Sequence, residues 1–346
     1  MRADEEEANY QQDCPGMVYV PTILGKIPRV IAIGDLHGDP FLAKRCLQIC
    51  GLADREGDWI PPAVETAVVV LGDLIDSWRP GRPMGMEDST DDAEVYRYMM
   101  KVHSQAKENG GVVYLLLGNH EIMNARADFR YVTEKNSTDW EWEGHRGLRG
   151  RQEAYRPGGS MAKELACESK AVLVIGSTLF AHAGVLPDAT QLLQMEGRDA
   201  LRELNYLVRR WLLDRVDADR AKTTEHVIDH PESSPFWQRV YGQIKRDQPM
   251  ESKACTELRE ALQVYQLDHM IIGHTPQIVH GKPHINGTCY IQNEQDHRLY
   301  RIDGGLSEAF QHFTRDHDTV QILEILDDRE FHIIRKPRYP KNSFDR

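Results

Sequence analysis

The chain has 346 residues, 40% of them hydrophobic, and a formal net charge of −12 at pH 7. This length and apolar fraction are sufficient for one large globular domain or two ordinary ones. The negative charge argues against nucleic acid as the main partner, because binding to a phosphate backbone depends on clustered Lys and Arg side chains.

The N-terminal segment, residues 1–13, is acidic and polar. It contains no apolar stretch of the length that a secretory signal or a membrane span requires. The sequence therefore predicts a cytoplasmic protein without a membrane partner.

Beyond this segment, short apolar runs bounded by glycine or charged residues predict buried strands, and stretches of helical periodicity lie between them. The predicted strands of this part are 29–33, 67–71, 112–117, 172–175, 179–181 and 270–272. The predicted helices include 41–50, 92–106 and 200–213. The tail is different, because its strand candidates follow one another without intervening helices. These candidates are 290–291, 299–302, 320–325 and 331–334.

An alternating first part and a strand-rich tail predict the α/β class, with two packed mixed β-sheets flanked by helices. We expect a polar N-terminal segment over residues 1–24 and a single domain over residues 25–340. Two polar stretches, at about 78–92 and 125–159, are too long for plain connections. They are predicted to form loops or a cap over the functional site, where substrate choice would be made.

Six cysteines are scattered along the chain without a Cys-x-x-Cys pair. Together with a cytoplasmic address, this sparse spacing predicts reduced thiols. Cys46 and Cys50 are four residues apart in a predicted helix, so they share one face and are expected in the core. None of the six is followed by Arg six residues later, which excludes a phosphatase with a cysteine nucleophile in a phosphate-cradling loop.

Five short strings place Asp, His or Asn directly after an apolar run, where buried strands end and side chains converge on a shared edge. They are Gly34-Asp35-Leu36-His37-Gly38-Asp39, Gly72-Asp73-Leu74-Ile75-Asp76, Gly118-Asn119-His120-Glu121, His182-Ala183-Gly184 and Gly273-His274-Thr275. One such string would be uninformative, but five in order supply the oxygen and imidazole ligands that a two-metal site needs. The candidate ligands are Asp35, His37, Asp73, Asn119, His182 and His274.

A two-metal site points to the hydrolysis of phosphate esters. The negative oxygens of such an ester repel a nucleophile, so a catalyst must neutralise charge, generate hydroxide near neutral pH and protonate the leaving oxygen. Paired cations perform the first two tasks. Asp, Asn and neutral His ligands suit manganese, iron or zinc, and the sequence leaves the identity of the metals open.

The order of these strings resembles the calcineurin-like metallophosphoesterase superfamily and, within it, the phosphoprotein phosphatase family. The stretch from Gly118 to Thr133 is similar to the Shewanella-like protein phosphatase branch, as are Arg156-Pro157-Gly158-Gly159 and Ser234-Pro235-Phe236-Trp237. The similarity extends from about Arg29 to Ile325. It implies the αββα sandwich of that superfamily.

The resemblance also assigns roles to the residues of the five strings. The first metal would be held by Asp35, His37 and Asp73. The second metal would share Asp73 and be completed by Asn119, His182 and His274. His120 would be the general acid for the leaving oxygen, with Asp76 as the carboxylate that orients its ring. The nucleophile would be a hydroxide that bridges the metals, and no phospho-enzyme would form.

One departure from the family pattern concerns the arginine that grips phosphate. In the family the second motif continues with Asp-Arg-Gly, whereas here Asp76 is followed by Ser-Trp. One candidate replacement is Arg79, which comes directly after that pair. The others are Arg156 and Arg239, whose surroundings resemble family segments that approach the site, and whose planar guanidinium can bind two phosphate oxygens at once.

Three functions remain open at this point. The first is a metal-dependent protein phosphatase acting on phosphoserine, phosphothreonine or phosphotyrosine. The second keeps the metals but takes a dinucleoside polyphosphate or another small phosphoester. The third is a pseudophosphatase that binds phosphoproteins, which the missing arginine suggests and the complete ligand set opposes. The sequence gives neither the oligomeric state nor the regulators.

Overall fold

The computed structural model describes residues 1–83, 88–292, 296–314 and 318–339. Its α-helices are α1 (Ala3–Asp13), α2 (Pro40–Ile49), α3 (Asp92–Glu108), α4 (Asn119–Ala125), α5 (Glu134–Thr138), α6 (Gly147–Tyr155), α7 (Ser160–Glu168), α8 (Ala189–Leu193), α9 (Arg198–Leu212), α10 (Ala221–Asp229) and α11 (Thr256–Tyr265). The predicted helices correspond to α2, α3 and α9, within two residues at either end. Among the described residues, no helix combines the length and the apolar character needed to cross a membrane.

The strands alternate with these helices in the first part of the chain and follow one another in the last part. They are β1 (Ile23–Leu24), β2 (Arg29–Ile33), β3 (Thr66–Val70), β4 (Gly111–Leu116), β5 (Glu141–Trp142), β6 (His145–Arg146), β7 (Ser169–Lys170), β8 (Val172–Ile175), β9 (Thr178–Ala181), β10 (His269–Ile272), β11 (Ile278–Val279), β12 (Lys282–Pro283), β13 (Asn286–Tyr290), β14 (His297–Arg301), β15 (Thr319–Leu326) and β16 (Glu330–Pro337). Every predicted strand overlaps one of these. The poorest match is β13. Its sequence is polar, and the strand is defined by its antiparallel pairing with β14.

Two mixed sheets form the body of the described part of the chain, with strand orders β16-β15-β2-β3-β4-β7 and β1-β8-β9-β10-β14-β13. In the first sheet β2, β3 and β4 are parallel, and Ile31 lies opposite Val68. In the second sheet β9, β10 and β14 are parallel, and Ile271 lies opposite Phe180. Each sheet therefore has a run of neighbouring strands that end at the same edge.

The two sheets face each other across a shared apolar core. Successive side chains of a strand point to opposite faces, so Ala32 and Val69 of one sheet share the inner core with Phe180 and Ile271 of the other. The alternate residues of the same strands pack under the helices. Strands that are buried on both faces appear in the sequence as continuous apolar runs, which is why the sequence revealed them. The predicted α/β class with two packed, helix-flanked sheets is confirmed.

The predicted N-terminal segment, residues 1–24, contains α1, which packs on α9. Asp13 is buried at the end of this helix, and its carboxylate lies 2.9 Å from Nε of Arg209 and 3.2 Å from Nη1 of Arg210. The hydroxyl of Tyr10 donates to the carbonyl of Cys167 at 2.8 Å. The polar residues of this segment therefore serve in part as buried partners for the body of the protein.

The expectation of reduced thiols is wrong for four of the six cysteines. Cys14 is bonded to Cys167, and Cys255 is bonded to Cys289. The partners are 153 and 34 residues apart in sequence, so only the packing of distant elements brings them together. Sequence spacing carries no sign of such pairs. Cys46 and Cys50 are free and buried in the core, as predicted.

These bonds predict a definite thiol count. Unfolded protein without reductant should react with a maleimide at two cysteines, and reduced protein should react at all six, as counted by intact mass. Reduction should also lower the free energy of unfolding, by about 5 kcal/mol for the long loop closed by Cys14 and Cys167 in the chain-entropy account. Six labels on unreduced protein would contradict both bonds.

The stretches 78–92 and 125–159 differ from simple loops where they are described. Residues 84–87 of the first stretch lie outside the described residues, but Thr90 is buried and its hydroxyl lies 2.6 Å from that of Ser77. The second stretch holds α5, the β5–β6 hairpin and α6, and α6 packs against α4 and α7. It is therefore joined to the body through a helix.

His269 is a titratable group in the core between the sheets. Its ring lies 4.3 Å from that of Phe331, and burial together with the charge of Arg298 lowers its pKa to about 4. The unfolded chain takes up this proton near the ordinary pKa of about 6.5. Because the folded chain keeps the ring neutral, stability is unaffected above the ordinary pKa and is lost as the pH falls from there toward the folded value.

His269→Gln should therefore reduce the sensitivity of the fold to acid. Between about pH 7.5 and about pH 5 the wild type should lose about 2 kcal/mol of unfolding free energy through this ring, and the variant should not. Urea unfolding at both pH values measures the difference. His332→Gln, at an exposed histidine, is the control and should behave as the wild type. Equal acid losses in wild type and His269→Gln would contradict the assignment.

Candidate active site

The five strings meet at one edge of the sandwich because each follows a strand of a parallel set. The strands β2, β3 and β4 end side by side in one sheet, and β9 and β10 do so in the other. The carboxyl ends of parallel strands lie at a common edge. The structure therefore brings all six candidate ligands together from both sheets, and all six are buried.

The turns at these strand ends require a close approach of backbone segments. Gly72 has a φ of +91°, and a Cβ at this position would lie 2.3 Å from the amide nitrogen of Gly118. His37, Asp73 and His274 also have positive φ values, of 44°, 49° and 65°. Such conformations cost about 1–3 kcal/mol each and occur mainly at functional sites. The sharp turns direct these side chains into the cluster.

Asp73 lies at the centre of the cluster. Its Oδ2 is 3.4 Å from Nε2 of His182, 3.8 Å from Nε2 of His120 and 3.9 Å from Nε2 of His37. The ligand atoms of Asp73, His37 and His120 lie within 4.8 Å of one another, and so do those of Asp73, His182 and His274. Asp73 thus belongs to two adjoining groups, which is what a carboxylate shared by two cations requires.

Asn119 and Asp35 complete the cluster. The Oδ1 of Asn119 lies 2.9 Å from Nε2 of His182 and 2.8 Å from Nδ1 of His274. The Oδ2 of Asp35 lies 3.9 Å from Nε2 of His37 and accepts a hydrogen bond from the amide of His274 at 3.1 Å. The amide oxygen therefore faces one group of ligand atoms, and the second carboxylate faces the other.

The three ligand histidines each direct their other ring nitrogen to a backbone carbonyl. The distances are 3.2 Å from His37 Nδ1 to Ile75, 2.7 Å from His182 Nδ1 to Leu71 and 3.0 Å from His274 Nε2 to Trp237. A ring that donates there presents its second nitrogen unprotonated to the cluster. Burial lowers the pKa of His37 and of His274 well below the ordinary value, so both rings are held in the neutral form that binds metal.

The carboxylates of the cluster favour a cationic ligand. Burial and the charges of Asp303 and Asp73 raise the pKa of Asp35 well above its ordinary value. Burial would also raise the pKa of Asp73, but the imidazoles of His182 and His120 outweigh it and hold that pKa well below the usual range. Cations relieve the mutual repulsion of such carboxylates. This set of buried carboxylate, amide and imidazole groups fits divalent metal ions.

His120 and Asp76 form a buried pair beside the cluster. Nδ1 of His120 lies 2.9 Å from Oδ2 of Asp76, and the backbone amide of His120 donates to Oδ1 of Asp73 at 2.9 Å. Because Nδ1 is engaged, Nε2 is the nitrogen that faces Asp73. A proton on Nε2 would therefore lie at the edge of the cluster, where a leaving oxygen can receive it.

Comparison with known proteins places most of the chain in one family. Residues 28–277 match the family described as calcineurin-like phosphoesterase, a range that includes all six candidate ligands, His120 and Asp76. The chain belongs to the calcineurin-like phosphoesterase family. The resemblance predicted from the five strings is thereby confirmed at the level of the family.

The phosphoesterase has relatives that span most of its length. It is 42% identical over 243 residues to an uncharacterized protein of Acanthamoeba polyphaga mimivirus, with 67% of this chain and 96% of that protein covered. It is 27% identical over 359 residues to Shewanella-like protein phosphatase 2 of Arabidopsis thaliana, with 92% and 81% covered. The predicted similarity to the Shewanella-like branch is confirmed.

A solved structure shows the same fold. The cold-active protein-tyrosine phosphatase of a psychrophilic Shewanella species superimposes with a TM-score of 0.63 at 21% identity, covering 92% of this phosphoesterase and 83% of that chain. At this identity the similarity concerns the fold. It agrees with the two-sheet sandwich described above.

The structure of the phosphoesterase places Arg79 at the cluster. Its side chain is buried, and the guanidinium carbon lies 5.5 Å from the ring centre of Tyr131 and 4.8 Å from that of Phe310. The ring of Tyr131 lies 5.0 Å from that of His120, and the ring of Phe310 lies 5.4 Å from that of His37. The guanidinium is therefore held by two rings that contact the cluster itself.

The other two candidate arginines lie farther out. Arg239 is exposed, and its Nη1 donates to the carbonyl of His274 and to the hydroxyl of Thr275, both at 3.3 Å. Arg156 is exposed in the turn from α6 to α7, where Gly158 has a φ of +79°. The structure thus brings Arg79 to the cluster and Arg239 to its rim, and it leaves Arg156 in a surface turn.

The Ser234–Trp237 segment supports the ligand loops through its backbone. The carbonyl of Trp237 accepts from His274, and the carbonyl of Pro235 accepts from the amide of Ala183 at 2.8 Å. The neighbour of His182 is thereby fixed by the same segment that fixes His274. The segment that resembles the Shewanella-like branch therefore braces the fourth and fifth strings.

Several residues that shape the site are not among the predicted site residues. The carboxylate of Glu121 accepts from the amides of Gly118 at 2.7 Å, Leu74 at 2.9 Å and Asp73 at 3.0 Å, which ties two strings together. The sequence feature that could have identified Glu121 is its place in the third string. Asp303 follows β14, the third parallel strand of the second sheet, and is buried. Its position after an apolar run was the same signal that identified the ligands.

A further missed pair lies behind Asp76. Arg151 and Asn124 both contact the Asp76 carboxylate at 2.9 Å. Asn124 belongs to the stretch that resembles the Shewanella-like branch, but Arg151 belongs to no motif. It lies in the polar stretch 125–159, where an arginine is expected to be exposed.

Proposed function

We propose that this phosphoesterase is a dinuclear metal-dependent phosphomonoesterase that removes phosphate from phosphoproteins. The observation that carries the proposal is the central position of Asp73, whose Oδ2 lies 3.9 Å from Nε2 of His37 and 3.4 Å from Nε2 of His182, beside the pair of His120 and Asp76. When bound, two cations would neutralise the phosphate and activate a water molecule. The residues that would hold them are Asp35, His37, Asp73, Asn119, His182 and His274.

His120 supplies the proton for the leaving oxygen in this proposal. Asp76 binds Nδ1 and fixes the ring, so that Nε2 is the atom that donates. The carboxylate also stabilises the charged ring before the transfer. The buried position of the pair keeps water from competing for this contact.

Arg79 takes the place of the arginine that is missing after Asp76. Its Nη1 donates to the backbone carbonyls of Asp76 at 3.0 Å and Trp78 at 2.8 Å. The remaining nitrogens, Nη2 and Nε, are the donors that can bind two phosphate oxygens. Arg239 at the rim is the second candidate, and Arg156 is the least supported of the three.

Phosphotyrosine is the preferred substrate in this proposal, ahead of phosphoserine and phosphothreonine. Arg79 lies against the ring of Tyr131, and the ring of Trp78, which is 38% exposed, lies 6.4 Å from that of Tyr131, so aromatic side chains extend from Arg79 to the surface. Such surfaces suit the ring of an aryl phosphate. The Shewanella protein with the similar fold is named a protein-tyrosine phosphatase, and the Arabidopsis relative is named a protein phosphatase.

Turnover with defined metals tests the proposal. Protein loaded with manganese, iron or zinc should hydrolyse p-nitrophenyl phosphate and phosphopeptides, and EDTA should abolish the activity. A phosphotyrosine peptide should be cleaved faster than the matched phosphoserine peptide. Faster cleavage of diadenosine tetraphosphate than of either peptide would indicate a small-phosphoester hydrolase instead. Phosphopeptide binding without turnover in any of these metals would indicate a pseudophosphatase.

Arg79→Ala tests the phosphate clamp. Loss of a charged hydrogen-bond donor to phosphate should lower kcat/KM for p-nitrophenyl phosphate by about 10- to 100-fold. Arg239→Ala should have a smaller effect, because its guanidinium is exposed. Arg146→Ala, at an exposed arginine of β6, is the control and should match the wild type. Wild-type kinetics in Arg79→Ala would reject this clamp.

The organisation and the location of the protein are proposals as well. We retain a single domain over residues 25–340, preceded by the segment 1–24. The cytoplasmic address predicted from the N-terminal sequence stays a prediction. The two disulfide bonds argue against it, since such bonds persist mainly in oxidising compartments.

A further inference from the structure

Arg151 on α6 is fully buried behind the proposed general acid. Its guanidinium donates to three side-chain oxygens: Nε to Oδ1 of Asn124 at 2.6 Å, Nη1 to Oδ2 of Asp92 at 2.6 Å, and Nη2 to Oδ1 of Asp76 at 2.9 Å. A planar fork with three separate acceptors has only one orientation in which all three bonds form. The position of Arg151 is therefore defined by its partners.

The same partners surround the Asp76 carboxylate. Its Oδ2 accepts from Nδ2 of Asn124 and lies next to Nδ1 of His120, both at 2.9 Å. The backbone amide of Asp76 donates to Oδ1 of Asp92 at 3.0 Å. Nδ2 of Asn124 also donates to the carbonyl of His120 at 2.9 Å. His120 is thus the last member of a closed network that has Arg151 at its centre.

The packing around Arg151 fixes it further. Its guanidinium carbon lies 5.4 Å from the ring centre of Tyr155 and 6.0 Å from that of Trp140. Helix α6 is pressed onto β6, because a Cβ on Gly150 would lie 2.7 Å from the carbonyl carbon of His145. The stretch 125–159, expected to choose substrates, therefore also delivers a buried cation to Asp76.

Charge gives this arginine a second effect on Asp76. Asp76 and Asp92 bring two negative charges into a site that is closed to solvent, and Arg151 supplies one positive charge between them. Without the guanidinium the two carboxylates would repel each other in a medium that screens poorly. The Asp76 carboxylate would then turn, and the bond that orients His120 would weaken.

We propose that Arg151 is a positioning residue for the proton transfer. It holds the Asp76 carboxylate in the one orientation that directs Nε2 of His120 toward the leaving oxygen. This inference rests on the proposed role of His120 in phosphate ester hydrolysis. Arg151 acts through Asp76 and contacts neither the candidate metal ligands nor the proposed phosphate clamp.

The leaving group provides a readout that a purely structural role would not change. Phenyl phosphate releases a basic phenoxide that needs a proton, whereas 2,4-dinitrophenyl phosphate releases a weakly basic one that does not. Arg151→Met should lower kcat for phenyl phosphate about 100-fold, and kcat for the dinitrophenyl ester less than about threefold, with KM unchanged. Arg151→Lys, which keeps the charge but not the fork, should recover part of the loss.

Two further variants complete the test. Arg151→Met alone leaves two buried carboxylates without a cation between them, which can prevent folding. Combining it with Asp92→Asn removes one charge of each sign and leaves the net charge of the buried cluster unchanged. The double variant lacks the guanidinium fork but not the relief from repulsion, so it should show a selective loss on phenyl phosphate that is smaller than that of Arg151→Met. Arg149→Met is the control on the same helix, because its side chain is 91% exposed and pairs only with Glu153 among the described residues. It should match the wild type with both esters.

The outcomes separate this inference from the proposed function. Equal losses on both esters in the double variant, or wild-type kinetics in Arg151→Met, would overturn the positioning role while leaving the phosphatase proposal intact. A wild-type protein that cleaves neither ester in any metal would overturn both. A crystal structure of the double variant gives a check without activity: the His120 ring should be rotated away from Asp76, and an unmoved ring would overturn the inference.

Discussion

Asp73→Asn should remove most of the bound metal and lower kcat for p-nitrophenyl phosphate by about three powers of ten or more. Asp73 is the residue shared by both groups of ligand atoms, and its Oδ2 lies between 3.4 and 3.9 Å from three imidazole nitrogens. The substitution keeps the shape of the side chain but removes the negative charge that two cations would share. Metal ions contribute several kcal/mol to the stabilisation of the transition state, which corresponds to a loss of this size.

Metal content and activity must be measured together for this variant. Elemental analysis after loading and dialysis should find about two ions per chain in the wild type and less than one in Asp73→Asn. Asp217→Asn is the control, because that aspartate side chain is 50% exposed and lies in a surface ion pair with Arg210. If Asp73→Asn kept two tightly bound ions and wild-type kcat, the shared-carboxylate arrangement would be refuted.

His120→Asn should lower kcat by about two to four powers of ten and leave the metal content unchanged. The physical reason is the geometry of its ring, whose Nδ1 is bound to Asp76 and whose Nε2 faces the cluster from 3.8 Å. A general acid in this position gives its proton to the leaving oxygen without coordinating a metal. The asparagine can still accept a hydrogen bond, but it has no proton to transfer at neutral pH.

The structure offers one competing role for His120, which the same measurement tests. Its Nε2 lies within reach of His37 and Asp73, so the three residues also form a possible metal-binding group. Loss of metal in His120→Asn would show that His120 is a ligand and that the general acid is another residue. His332→Asn, at an exposed histidine, is the control for the loss of an imidazole.

The stretch 125–159 changes how the site is understood. Its helix α6 supplies Arg151, which binds Asp76, and Tyr131 in the same stretch packs against both Arg79 and His120. One inserted segment therefore contacts the proposed phosphate clamp, the proposed general acid and the carboxylate of Asp76. Changes in this stretch should affect catalysis as well as substrate choice.

The sequence revealed the strands and the ligands because both leave local signals. Strands such as β2 and β3 are buried on both faces, so they appear as continuous apolar runs whose ends are marked by glycine. The candidate ligands follow those ends directly, and parallel neighbours deliver them to one edge.

By itself, the sequence determined the α/β class, the buried strands and the candidate side chains that follow their ends. These follow from periodicity and from the few residues next to each strand. Only the tertiary structure decided which cysteines are bonded, that Arg79 and not Arg156 reaches the cluster, and that Arg151 is buried against Asp76. The reason is that these contacts join segments far apart in the chain, and a single arginine or cysteine has the same sequence signal whether it is exposed or buried.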